Sequence, residues 1–147
     1  MTSLFFYALS ACLAVTFACV SVRWQVVPTR SPVETERPPP PREFESLQNL
    51  FSGDRETASK GRAIYEANCV SCHGPTGKGD GPAGGALETK PLNLAANQFA
   101  LSDGYLYWRI SEGGMIEPFA SMMPAWRGLL REEQIWEVIT YLRTLEE

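Results

Sequence analysis

Cys69, Val70, Ser71, Cys72 and His73 form the stretch of this chain whose residue types and spacing could do chemistry. Two thiols three residues apart share one face of a helical turn, because positions i and i+3 are neighbours there. A histidine follows the second thiol directly. This arrangement reads as a covalent haem attachment site, with both sulfurs reaching the vinyl groups of one porphyrin and the imidazole giving a ring nitrogen to the iron. Two other chemistries use paired cysteines. A structural zinc site takes four soft or imidazole ligands, and outside the apolar N-terminus there is no second cysteine pair. A thioredoxin-like dithiol wants a βαβ pattern around it, and none is visible.

Residue counts narrow the iron chemistry. The chain has a single histidine, which excludes a bis-histidine haem and a second histidine-ligated haem within it. Its four methionines are Met1, Met115, Met122 and Met123, so a thioether ligand is available only late in the sequence. A formal charge of −4 gives no basic footprint for nucleic acid. At 147 residues the chain has room for one modest domain with appendages.

The elements that must position these residues follow in order. Leu4 to Val22 is a 19-residue run without a charge, ending at Arg23-Trp24. As a helix it would span about 28 Å, close to the hydrocarbon thickness of a bilayer. An uncleaved transmembrane anchor is the favoured reading. A cleaved signal peptide is the second, and a lipoprotein signal acylated at Cys12 of Leu9-Ser10-Ala11-Cys12 is the third. Arg23, Arg30 and Arg37 follow the segment and would hold that side in the cytoplasm. Haem attachment to this motif takes place on the outer face, and that argument outweighs the statistical charge rule. From Gln25 to about Asp54, Pro28, Pro32 and the run Pro38 to Pro41 favour an extended polyproline spacer. Phe44, Leu47, Leu50 and Phe51 have helical spacing within it and offer a weak docking signal.

A helix capped by Thr57 or Ser59 is expected through Lys60, Gly61 and Tyr65 to the haem motif. Gly61 inside it costs about 1 kcal/mol relative to Ala, which suggests a close approach by another helix. The Gly-rich run from Gly74 to Gly85 permits tight turns around a bulky planar ligand. It is no phosphate loop, since Lys78 is not followed by Ser or Thr. Ser102 reads as the cap of a second helix ending at Gly113-Gly114, with Tyr105 and Trp108 expected in the core. Glu132 and Glu133 open an amphipathic third helix through Ile135, Val138, Ile139 and Leu142.

From about Thr57 to the end, these pieces resemble a monohaem class I c-type cytochrome. The matching residues are Gly61 and Tyr65, Cys69 to Gly74, Gly77-x-Gly79-Asp80-Gly81-Pro82, Pro91-Leu92-Asn93-Leu94, Met123-Pro124-Ala125-Trp126, and the helix from Trp136 to Arg143. The resemblance implies an all-α fold whose first and last helices cross near-perpendicularly, Gly61 and Tyr65 meeting Val138 and Tyr141. It also implies that the Pro91 carbonyl accepts a hydrogen bond from His73, with Pro82 as a substitute. Domain boundaries follow at 1–24 for the anchor or signal segment, 25–54 for the linker and 55–147 for the haem domain.

Met123 is the expected sixth ligand, because Pro124 pushes it toward extended backbone and it matches the family's position; Met122 and Met115 remain rivals. Cys69, Cys72, His73, Met123 and Pro91 are thus the candidate residues for one covalently attached haem c, with His73 and Met123 on the metal. Iron held by histidine and a thioether favours the ferrous state. With both axial positions filled, the chain is expected to carry single electrons between redox protein partners and to do no bond chemistry. A permanent haem subunit of a larger respiratory or photosynthetic complex is the alternative, and a five-coordinate gas-binding protein is a remoter one. No nucleic acid or small-molecule substrate is expected. The haem domain is expected on the periplasmic face of a membrane.

Overall fold

The structure is a computed structural model that describes residues 37–146. The expected anchor at 1–24 and the first part of the linker, 25–36, lie outside the described residues. Among the described residues no helix is long and apolar enough to cross a membrane. The architecture there is helical, with no strand, in agreement with the expected all-α class.

Among the described residues six α-helices follow in order: α1 Arg42–Glu45, α2 Arg55–Asn68, α3 Val70–His73, α4 Leu94–Asn97, α5 Asp103–Glu112 and α6 Glu132–Leu142. A single 3-10 turn, Gly84–Ala86, interrupts the Gly-rich loop. Helix α2 begins earlier than Thr57 or Ser59 would have it. Its cap is Asp54, whose carboxylate accepts the Thr57 N–H at 2.7 Å, and the backbone turns into it through Asp54 N–H to Phe51 carbonyl at 3.0 Å. Ser102 caps α5 as expected, accepting from the Tyr105 N–H at 3.1 Å. Arg131 precedes α6 without a capping side chain, so Gln134 reaches back to accept its N–H at 3.0 Å.

Helices α2 and α6 cross through Gly61. A Cβ there would overlap the Glu137 carbonyl and crowd the Val138 nitrogen, so only glycine lets the two backbones meet. One turn on, the Tyr65 and Tyr141 rings pack at a tilt of 57° with centroids 5.2 Å apart. Around this crossing Tyr65, Ile135, Val138, Ile139 and Leu142 are buried. Helix α5 packs beside them with nearly its whole circumference inside.

The segment expected as the end of the linker packs onto this body. Phe44 is buried and lies 6.2 Å from Tyr107, centroid to centroid. Asn49 donates from its side-chain amide to Thr140 Oγ1 at 2.9 Å, and its backbone N–H donates to Asp103 at 2.9 Å. Asp103 in turn holds Arg143 at the end of α6, Nη2 to Oδ1 at 2.5 Å. Residues 42–54 therefore belong to the folded unit, which starts upstream of the expected boundary at 55.

Candidate functional site

The haem motif sits where α2 ends and a new turn begins. Cys69 closes α2 by donating its N–H to the Tyr65 carbonyl at 2.8 Å, and its own carbonyl accepts from His73 N–H at 2.9 Å. Both thiols and the imidazole are thereby carried on consecutive backbone turns. The Gly-rich loop folds back onto this turn through Gly79 N–H to His73 carbonyl at 2.8 Å and Ala83 N–H to Ser71 carbonyl at 2.9 Å. The buried Tyr65 hydroxyl adds a third tie, donating to the Gly74 carbonyl at 2.7 Å.

Across from the motif, the methionine segment is laced to the end of α5. Gly114 N–H donates to the Met123 carbonyl and Ser121 N–H to the Gly114 carbonyl, both at 2.8 Å. Trp126 N–H donates to the Ile110 carbonyl at 3.0 Å. These bonds hold an extended stretch without regular secondary structure in a fixed place, as Pro124 requires.

Between the two lies a cavity of about 560 Å3, within the range of ligand-binding clefts. Cys69, Cys72, His73, Pro91 and Met123 all line it. Leu106, Ile110, Trp126, Val138 and Leu142 supply apolar wall. Met122 also reaches the cavity but is 64% exposed, whereas Met123 is half-buried against the core. Met115 is 67% exposed and does not line the cavity.

Electrostatics at the motif suit a buried cofactor. Burial pushes the Cys69 thiol up to about 11, with the neighbouring Cys72 acting in the same direction. Redox-active Cys-x-x-Cys pairs instead hold a thiol at lowered pKa. Burial lowers the His73 pKa, against an opposing pull from the backbone of Leu92. The imidazole is thus held neutral, the form that ligates a metal. Its Nδ1 is buried without a hydrogen-bond partner.

That orphan corrects one expectation. The hydrogen bond from His73 to the Pro91 carbonyl is not formed here. The Pro91 carbonyl packs on Gly79, where a Cβ would collide with it. Two further cavity residues were not singled out by the sequence as site residues, Tyr105 and Arg109 of α5. The available signal was a charged residue four positions after a tyrosine inside an otherwise apolar helix.

Thiols on one turn, a neutral histidine, a facing methionine and an apolar slot fit a covalently held haem. Fold and site define the class as a c-type cytochrome domain, a class whose haem c is covalently attached. The chain belongs to the family described as cytochrome c oxidase, cbb3-type, subunit III, whose model matches residues 56–142. Relatives include the cbb3-type cytochrome c oxidase subunit FixP of Bradyrhizobium diazoefficiens, 33% identical over 100 residues, 68% of this chain and 31% of that one. The subunit CcoP of Azospirillum brasilense is 29% identical over 97 residues, 66% of this chain and 31% of that one. The chain thus matches these relatives over about a third of their length. Among solved structures, cytochrome CL of Methylophaga aminisulfidivorans superposes with a TM-score of 0.50 at 22% identity, covering 66% of this chain and 60% of that one. The reducing HAO-like protein complex of Kuenenia stuttgartiensis gives a TM-score of 0.54 at 23% identity, covering 69% of this chain and 47% of that chain.

Proposed function

We propose that this chain carries single electrons between redox partners through one haem c, held by Cys69 and Cys72 and ligated by His73 and Met123. The observation that carries the reading is the convergence of these four residues on the walls of one apolar cavity. When bound, the haem supplies a one-electron iron couple. The protein's own residues do the rest. Cys69 and Cys72 would hold the porphyrin covalently in the slot, so that it would not dissociate between turnovers. Burial keeps His73 deprotonated and ready to ligate. The bonds from Gly114 and Trp126 hold the Met123 segment opposite it, and a thioether there favours the reduced state. Leu106, Trp126, Val138 and Leu142 line the slot with apolar wall and would keep water from the iron. With His73 and Met123 both on the metal, no site would remain for a substrate, so the domain would move electrons and would not itself be an enzyme. Pro91 belongs to this site as cavity wall beside His73.

The names of the relatives favour a second reading, in which the chain does this as a fixed subunit of a larger respiratory oxidase complex. The apolar segment at 1–24 would anchor it in the membrane, with the haem domain on the periplasmic face. Purification from membranes in mild detergent separates the two. A fixed subunit co-purifies with other subunits in constant ratio, and a shuttle emerges alone. In either case a redox titration is expected to take up one electron per chain. A titration with no one-electron step would contradict the electron-transfer reading itself.

A further inference from the structure

Three large apolar side chains stand in the open around the start of α5. Leu50 is 91% exposed and Phe99 84%, and Phe51 beside Leu50 is exposed as well. The Asp103–Arg143 ion pair ties them to one place. Asp103 accepts the N–H of Asn49, one residue before Leu50, at 2.9 Å. Arg143 Nη2 donates to the carbonyl of Leu101, two residues after Phe99, at 2.8 Å. None of the three lines the cavity or packs on the hydrophobic core.

The chain enters the folded unit at this same end. Pro38, Pro39 and Pro40 share a small hollow with Ala100, Leu101 and Ser102, next to Phe99. Upstream, residues 23–36 separate this point from the uncharged run Leu4 to Val22. Even fully stretched, they reach only about 50 Å. A membrane anchor in that run would therefore keep this end of the domain close to the bilayer. The other end of α5 lies about 15 Å away along a ten-residue helix. It carries the methionine segment, since Gly114 N–H donates to the Met123 carbonyl. Clustered exposed apolar side chains mark a protein or a membrane contact, and their place beside the point of entry favours the membrane.

We propose that Leu50, Phe51 and Phe99 form a foot on which the domain rests, inserted among the lipid headgroups of a bilayer. The proposal rests on the anchor reading given above. Apolar side chains at such a surface bury about 5–10 Å into the boundary between headgroups and acyl chains. The ion pair between the three side chains carries no net charge, so a zwitterionic lipid suffices. Seated in this way, the domain stands with the start of α5 on the membrane. The methionine segment then faces the water, where a soluble redox partner can approach.

The test places the full haem-loaded chain in phosphatidylcholine nanodiscs containing a phosphatidylcholine with a diazirine near its headgroup. After illumination, mass spectrometry maps the lipid adducts. Met115 and Leu129 are the controls. Both are exposed and belong to the far end of α5, Met115 following its last turn and Leu129 joined to it through Trp126 N–H to the Ile110 carbonyl. Adduct yield at Leu50, Phe51 and Phe99 is expected to exceed that at Met115 and Leu129 severalfold. In a Leu50→Ser, Phe99→Ser double variant, exposed positions where the fold tolerates change, the yield at Phe51 is expected to fall while the run Leu4 to Val22 stays labelled. Equal yields at the two ends of α5 overturn the proposal, as does labelling of Leu4 to Val22 with none at Leu50, Phe51 or Phe99. An unchanged yield at Phe51 in the double variant overturns it too. Absence of adducts from Leu4 to Val22 would refute the anchor reading, a separate result, and the ratio between the two ends of α5 would still decide the foot.

Discussion

At Cys69, burial decides which thiol chemistry is open. With its pKa pushed up to about 11, only about one thiol in ten thousand is ionised at neutral pH. Such a thiol is a poor redox dithiol partner. The same enclosure that quiets the thiol creates the slot a porphyrin fills. Tyr65 shows a residue serving the site without entering its chemistry. Its buried hydroxyl is the tie between α2 and the loop after His73. Tyr65→Phe removes this bond and leaves the Gly74 carbonyl only the Gly77 N–H at 3.2 Å, and is expected to lower unfolding stability by about 1 kcal/mol. Denaturant melts of the haem-loaded protein check this, with the visible spectrum expected to stay unchanged.

Among elements, the α2–α6 crossing is where sequence and structure agree most closely. Gly61 weakens an isolated helix, and its presence made sense only with a second backbone against it. The contact with Glu137 and Val138 supplies that reason. Gly61→Ala must push the helices apart, and overpacking of this kind costs about 1–3 kcal/mol or more. A lowered thermal midpoint at unchanged helix content would bear this out, and an unchanged or raised midpoint would contradict it. The caps of α5 and the amphipathic face of α6 were equally legible, because they depend on neighbours within a few residues. The start of α2 was misjudged by a short step, since Thr57 is itself the group whose N–H Asp54 caps. Less legible were contacts made across long stretches of chain. Asn49 reaches Thr140 over a separation of 91 residues, and no local pattern encodes that. The state of Pro91 was also hidden, because the path of its carbonyl depends on how the loop through Gly79 closes. The place of Arg109 on the cavity wall was hidden too, since the cavity exists only once α5 and the methionine segment have met.

At the scale of the molecule, residues 42–54 change what the folded unit is. They cover one side of α5 and tie its start to the end of α6 through Asp103 and Arg143. Phe44→Ala is expected to cost about 3 kcal/mol or more, as for other buried phenylalanines. A denaturant midpoint that does not move would return this segment to the role of a passive spacer. The polyproline run Pro38 to Pro41 then leads directly into packed structure, so any tether to a membrane begins upstream of Phe44. The remaining architecture brings a motif from the first third of the domain and a methionine from its last third to opposite sides of one slot.

The most direct test of the account is the ferric visible spectrum of the haem-loaded protein and two single variants. Coordination by a thioether gives a weak sulfur-to-iron band near the red edge. Met123→Ala is expected to abolish that band and to let the reduced protein bind carbon monoxide rapidly, while Met122→Ala keeps the band and stays closed to the gas. Loss of the band in Met122→Ala with its survival in Met123→Ala, or rapid carbon monoxide binding by the unmodified protein, would contradict it.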